Sequence, residues 1–508
     1  MAEGNDRTMK MTRRDFCIAA AAVAGGARFV AAADGTKPVP PVGAKSVPPV
    51  GARAVPPASG KRWYKGMLHA HTCWSDGYVL PEQAVAAYKN AGYDFFSITD
   101  HNRLGADADH WMEVASVTGG WPPTTIEPLV FEALRTAFPD VRWRTDGGKT
   151  YVRVSPLSEI AARFNENGRF LFLPGCEVTT RIGVPDNVSR DVHMNYIGLD
   201  ALIPRAAKSG LMEKLTDTTV AEVIRKTRDE VGHLAAKKGN PPHLFFVNHP
   251  HWRYYDVLAD DIIANPDIRF FEVCNTGSAW APEESMPKDG FDNDRFWDAV
   301  NAVRCKRGER LLYGIGTDDT HMYPDSGTSR CPITFGDAWI GVRAAALTPA
   351  ALVAAMKNGD FYASGGVDFE DIQFHRSTGT LSVSVPAKSG VSYTVKFITT
   401  KSGANTDPVR TVELPQQDDR PARSVPVYSD AVGAVVKTVA FGSGEAASAS
   451  YTLADDDLYV RARVESNEQA VYENAINKMH PPVKVGWTQP YRRERGNIWY
   501  VHDVSVGM

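Results

Sequence analysis

The chain has 508 residues, a formal net charge of −4 and 43% hydrophobic residues. That length exceeds one average domain and is ample for a large core. The balanced charge excludes a nucleic-acid binder built on a basic stripe, and no nucleic-acid partner is expected.

The first element in chain order reads as an export signal. "MTRRDFCIAAAAVAGGARFVAAADG" holds Arg13 and Arg14 beside Phe16, then a weakly apolar run, then Ala31-Ala32-Ala33. Residues 1–33 therefore resemble a twin-arginine signal peptide with a small-residue cleavage site. Gly25, Gly26 and Arg28 interrupt the run, which is too short for a membrane span. The expectation is a periplasmic or extracellular mature chain without a membrane span, exported by the twin-arginine translocation machinery. Cys17 falls in this segment. Cys73, Cys176, Cys274, Cys305 and Cys331 are odd in number and lack C-x-x-C spacing, so no disulfide framework is indicated.

Residues 34–62 are rich in proline. "VPPVGAKS", "VPPVGARA" and "VPPASGKR" repeat from Val39 to Arg62. Pro-Pro pairs favour extended polyproline segments, so this stretch reads as a semi-rigid spacer.

Residues 63–366 alternate short apolar runs with helical stretches. The runs are "GMLHAHT", "DFFSITDHN", "RFLFLPGCEVTT", "DVHMNYIGL", "HLFFVNHPH", "RFFEVCNT" and "RLLYGIGTDDTH". Continuous apolar runs suit parallel strands buried on both faces. "LPEQAVAAYKNAGY", "TDTTVAEVIRKTRDEVGHLAAKKGN" and "FDNDRFWDAVNAVRCKRGE" read as helices between them. The pattern predicts an α/β fold, a distorted (β/α)7 barrel. Residues 102–169 are too long for a simple crossover and read as an inserted helical and loop subdomain. In residues 367–508 the period falls to two, as in "TLSVSVPA", "SYTVKFITT" and "LYVRARVES". That predicts a smaller antiparallel β-sandwich-like domain, which packs against the barrel or forms a lid.

The predicted strands end in metal-competent residues. His69 and His71 close the first, with Asp76 on the loop beyond. Asp100 and His101 close the second, and Glu177 the third. His193 lies on the fourth, His249 and His251 follow the fifth, Asn275 closes the sixth, and Asp318, Asp319 and His321 close the seventh. A barrel gathers these positions at its C-terminal mouth. Imidazole and carboxylate donors suit Zn, Mn or Fe.

The motifs "HAHTCWSDG", "ITDHN", "GCEVT", "VHMNYIGL", "NHPHW" and "GTDDTH" resemble, in order, those of the PHP (polymerase and histidinol phosphatase) family. The resemblance implies a seven-stranded barrel with two or three divalent metal ions. It implies a first ion on His69, His71, Glu177 and Asp319. A second would lie on Glu177, His193 and His249, and a third on Asp76, His101 and His321. Asp318 stands where the family usually has a small residue. Asp76 fills a position that some members give to histidine.

The implied activity is an exported metal-dependent phosphoesterase that hydrolyses small organic phosphate mono- or diesters. Hydroxide on the metals would attack phosphorus in line, with no protein nucleophile. Three divalent ions outweigh the carboxylates of Asp76, Glu177 and Asp319, and the excess suits a hydroxide plus a phosphate dianion.

Around the ligands, Asp100 either orients His101 or a neighbouring ligand, or is a strand-end turn residue. Arg103, Arg181 and Arg190 either fork onto phosphate oxygens or are solvated arginines. His251 and Trp252 either line the substrate site or pack. Two other functions stay open. One is an amidohydrolase-like metal hydrolase of C–N or C–O bonds, disfavoured because no lysine ends a strand run. The other is a non-catalytic surface-binding protein, disfavoured by the intact ligand set.

Overall fold

Each of the seven apolar runs forms a strand. The computed structural model describes residues 60–117, 122–184, 188–277, 293–328, 335–416, 419–470 and 483–493. The signal segment, nearly all of the proline repeats, Cys17 and Cys331 lie outside the described residues. The described residues all belong to one unit.

The strands are β1 (Arg62–Met67), β2 (Phe95–Ile98), β3 (Leu171–Val184), β4 (Val188–Ile197), β5 (Leu244–Val247), β6 (Phe270–Asn275) and β7 (Tyr313–Thr317). Two more follow, β8 (Trp339–Ala344) and β9 (Phe361–Gly365). Their ladder runs β7-β6-β5-β4-β3-β2-β1-β8-β9. Strands β1, β2 and β3 pair in parallel, as do β5, β6 and β7.

Two expectations are corrected here. β4 runs antiparallel to both β3 and β5. It pairs directly with β3 from Gly175/Ile197 to Val184/Val188, so the βα alternation breaks at this point. Apolar content does not encode strand direction, so nothing in "DVHMNYIGL" marked the reversal. The barrel also does not close. The free edge of β1 is occupied by β8, antiparallel from Arg62/Ala344 to Gly66/Ile340. β7 instead lies close against β8 and β9. A Cβ on Gly316 would come within 2.7 Å of the Trp339 carbonyl oxygen, so only glycine fits there. Beyond the strand ends, Ala70 and Thr320 form one isolated parallel bridge, with the His71 amide 2.8 Å from the Thr320 carbonyl. The fold is therefore mixed α/β with one large sheet, and the strand ends still converge.

One apolar cluster draws on all seven strands, including Tyr64, Phe95, Leu173, Ile197, Phe246, Phe270 and Ile315, on Leu68 just past β1, and on β8 and β9. Each fully buried side chain of this kind stabilises the fold by about 1.5–3 kcal/mol. It forms a firm apolar base on which the polar strand ends are held.

The 102–169 stretch holds more strand than expected. Trp111–Val114, Thr125–Ile126, Trp143–Asp146 and Lys149–Arg153 form a four-stranded sheet beside the helices Pro128–Ala137 and Leu157–Phe164. Past Gly366, antiparallel strands continue the main sheet. Val483–Thr488 pairs with β9, and Arg461–Gln469, Tyr393–Thr399 and Ala434–Phe441 follow. A three-stranded sheet (Asp371–His375, Thr380–Val385, Ala447–Thr452) shares a second apolar core with them, through Ile372, Leu381, Val383, Val395 and Phe397. A hairpin, Arg410–Leu414 with Arg423–Val427, stands apart as its own ladder. None of the described helices is long and apolar enough to cross a membrane.

Candidate metal centre

Glu177 lies at the focus of the strand ends. On the paired strand, Thr179 faces His193, so the reversed β4 brings an imidazole from mid-strand to the level of Glu177. Glu177 Oε1 is 3.1 Å from His193 Nδ1, 3.4 Å from His69 Nε2 and 3.6 Å from His249 Nε2. Its Oε2 is 2.8 Å from His101 Nδ1 and 3.3 Å from His71 Nε2. Asp319 Oδ1 lies 2.9 Å from His71 Nε2 and 3.3 Å from His69 Nε2. On the outer side, Asp76 Oδ2 is 3.1 Å from His321 Nε2 and 3.5 Å from His101 Nε2.

All nine residues are thus brought together, though grouped somewhat differently from the ligand sets the resemblance implies. His71, Asp76, His101 and His321 form one set with ligand atoms within 4.8 Å of one another; His69, His71 and Glu177 form a second, and His101, Glu177 and His193 a third. His71 and His101 each lean into two sets. Asp319 and His249 flank them at the distances above. The backbone of Asp319 is left-handed, with φ of 49°. Such conformations cost about 1–3 kcal/mol and concentrate where a side chain must be aimed.

Fixed partners set the direction of several imidazoles. Glu272 Oε1 is 2.7 Å from His69 Nδ1. Its carboxylate also accepts from Thr317 Oγ1, the His249 amide and Asn275 Nδ2 at 2.7–2.8 Å. With Nδ1–H donated to Glu272, His69 turns the lone pair of Nε2 towards Asp319 and Glu177. His321 Nδ1 lies 2.9 Å from the Asp319 carbonyl, which leaves its Nε2 facing Asp76. His101 Nδ1 is 2.6 Å from Thr179 Oγ1. Asn248 donates to Glu177 Oε1 at 2.7 Å.

Asp100 serves the loop rather than His101. It accepts from the Thr72 amide, the Thr72 hydroxyl and the Ser75 hydroxyl at 2.6–2.8 Å, which fixes the turn that carries Asp76. Burial pushes its carboxyl up to about 6. Asp318 points elsewhere than its neighbour: it accepts from Tyr88 Oη and the Gly336 amide, both at 2.6 Å.

The charges in the cluster are strongly coupled. Burial disfavours a charged His69, yet Asp319, Glu272 and Glu177 hold it well above the usual imidazole range. Burial, then the neighbouring His321, push His71 down to about 4. Burial opposes ionisation of Asp76 and Glu177, but the surrounding imidazoles hold both well below the carboxylate range. Glu177 Oε2 and Asp319 Oδ1 are met by imidazole nitrogens at 2.8 and 2.9 Å, and buried His193 Nε2 has no hydrogen bond. Buried acceptors of this kind, with nitrogen and oxygen donors crowded at 3–4 Å, fit divalent cations.

The remaining candidates divide. Trp252 packs on the cluster, its ring 4.9 Å from His193 and 5.0 Å from His249. His251 is packed between Tyr255 and Phe296 at 5.0 and 5.3 Å, with burial pushing it down to about 3. Arg181 forks onto Asp191 through Nε and Nη2, at 2.7 and 3.0 Å. Arg103 donates to the carbonyls of Asn102 and Gly210. Arg190 is half-buried, and its Nε has no hydrogen bond. Sequence reading passed over Glu272 and Asn248. The signal for Glu272 was a carboxylate inside "FFEVCN", a strand buried at every position.

No family model and no curated protein matches the chain. Solved structures are similar to it, two of them as follows. One is a two-domain protein containing a predicted PHP-like metal-dependent phosphoesterase from Bacteroides vulgatus, with 14% identity, TM-score 0.33, and coverage of 85% of this chain and 96% of that one. The other is a candidate metal-dependent phosphoesterase from Bifidobacterium adolescentis, with 13% identity, TM-score 0.24, and coverage of 53% and 90%. At these TM-scores, fold and chemistry have to be read from the chain's own residues.

Proposed function

We propose that this chain is an exported hydrolase of the PHP type, which uses two or three divalent ions to cleave small organic phosphate mono- or diesters. The observation that carries this is Glu177, a buried carboxylate 2.8–3.6 Å from five imidazoles. A core carboxylate surrounded by imidazoles has little structural use; as a bridge between cations it has a clear one.

His69, His71, Glu177 and Asp319 would hold one ion, Glu177, His193 and His249 a second, and Asp76, His101 and His321 a third. Bound there, divalent ions supply Lewis acidity towards phosphoryl oxygens and lower the pKa of water. The chain's own part is preorganisation. Glu272 and the Asp319 carbonyl fix which nitrogen His69 and His321 present. Asp100 holds the turn that carries Asp76. Leu68 and the cluster beneath it keep the base of the site apolar.

The test is to purify the chain, measure bound metals, and assay phosphomonoesters and phosphodiesters with added Mn, Zn or Fe. Metal-dependent hydrolysis supports the reading. Bound metals without hydrolysis of any phosphoester overturn it. Export is tested by fusing residues 1–33 to a reporter that is active only after twin-arginine transport.

A further inference from the structure

The hairpin Arg410–Leu414/Arg423–Val427 and the turn inside it grip the chain just after His249. Tyr254 Oη donates to the Pro415 carbonyl. Arg423, only 4% exposed, donates to the Tyr255 carbonyl through Nε at 3.0 Å and through Nη2, which also reaches the Asp256 carbonyl at 3.1 Å. Tyr255 is in the left-handed region, with φ of 56°. A residue with a Cβ persists there only when its surroundings hold it. Tyr428 Oη donates to Asp260 Oδ1 at 3.0 Å.

The same segment grips the strand that carries His193. The Ser189 amide donates to the Asp419 carbonyl at 2.9 Å. Arg420 is also 4% exposed and donates through Nη2 to Asp191 Oδ2 at 3.0 Å. Its guanidinium carbon lies 5.9 Å from the ring centre of Trp252, the ring that packs on His193 and His249. Two buried cations from one distant segment therefore meet the two ligand-bearing stretches on either side of Trp252.

We propose that Arg420 and Arg423 are positioning residues for the His193–His249 side of the metal centre. They hold the loop after His249 so that Trp252 braces both imidazoles. The C-terminal region is then a working part of the centre rather than an appended module. This rests on the metal-centre reading above. It requires that the ion held with His193 and His249 depends on the hairpin, while the ion held by Asp76, His101 and His321 does not.

The experiment titrates metal-free full-length chain with Co2+, following calorimetry and the visible absorption of bound Co2+. The proteins are wild type, Arg420→Met, Arg420→Lys, Arg423→Met and Trp252→Leu, each checked for wild-type circular dichroism. The expected result is a 10- to 100-fold loss of affinity confined to one class of ion, the range seen when an outer partner of a metal ligand is removed. Arg420→Lys should recover part of it. Wild-type affinities at every site in the folded variants overturn the proposal, as does an equal loss at all sites. Should the arginine variants fail to fold, Trp252→Leu decides alone, because it leaves the buried charges intact. A wild type that binds Co2+ but cleaves no phosphoester overturns the functional reading and leaves this test in force. A wild type that binds no Co2+ overturns both.

Discussion

Glu272 Oε1 lies 2.7 Å from His69 Nδ1, and the same carboxylate receives the His249 amide. One side chain therefore aims the His69 imidazole and anchors the backbone of His249, each just past the end of a different strand. We predict that Glu272→Gln lowers metal affinity about 10- to 100-fold with the fold retained. An amide can offer N–H where His69 needs an acceptor, which leaves Nδ1 without its proton and places that proton on Nε2, the nitrogen that faces the centre. Metal titration of the purified variant checks this; unchanged affinity would show that His69 is aimed by something else.

Asp319→Ala and His249→Ala each remove a donor from the cluster while leaving the apolar base intact. Hydrolysis should fall by about 10^3-fold or more in either variant, on the scale of losing a charge-stabilising group in an active site. Circular dichroism should stay that of wild type. Full activity in either folded variant would remove the metal centre from the mechanism.

Chelation should lower thermal stability. Asp76, Glu177 and Asp319 are 4%, 0% and 7% exposed and stand close together. An ion at 100 times its Kd stabilises the folded chain by about 2.7 kcal/mol. Differential scanning calorimetry with EDTA, then with Mn2+ or Zn2+ restored, should show a downward shift in Tm that reverses.

A buried ion cluster ties the helix Asn293–Arg307 to the C-terminal strands. Arg461 forks onto Asp298 at 2.6 and 2.8 Å and lies 2.7 Å from Asp294. Burial raises the pKa of Asp294, but Arg463, Arg461 and the Trp487 indole outweigh it and hold the carboxyl below its ordinary value. Because the folded pKa is depressed, the stabilisation is fully present above the unfolded value of about 3.9 and is lost as pH falls through the folded value. Acid unfolding followed by tryptophan fluorescence should therefore begin below about pH 4. Arg461→Met should destabilise at neutral pH by about 3–5 kcal/mol, because it leaves buried carboxylates unpaired.

Much of the site was legible because its residues end apolar runs. His69, His71, His101, His249 and Asp319 each follow a stretch whose strand character is plain, whereas Glu177, expected at a strand end, lies inside β3, which runs on to Val184. The reversal of β4 was hidden, since antiparallel and parallel strands buried on both faces carry the same side chains. The open barrel was hidden too, because "WIGVRA" looks like any other buried strand and takes the edge of β1 only through tertiary pairing. Glu272 was visible as a charge inside an apolar strand, but its partner was 203 residues away. Arg420 and Arg423 had no local signal at all: their role depends on a contact with the loop after His249.

In the proposed function, Glu177 and its imidazoles hold ions that hydrolyse phosphoesters. The most direct measurement strips the purified full-length chain of metal, reloads it with Mn2+, Zn2+ or Fe2+, and follows phosphate or alcohol release from a panel of phosphomonoesters and phosphodiesters. The expected result is no hydrolysis when stripped and restored hydrolysis at two or three bound ions per chain. Hydrolysis that persists after stripping, or a fully loaded chain inert towards every phosphoester, would contradict it.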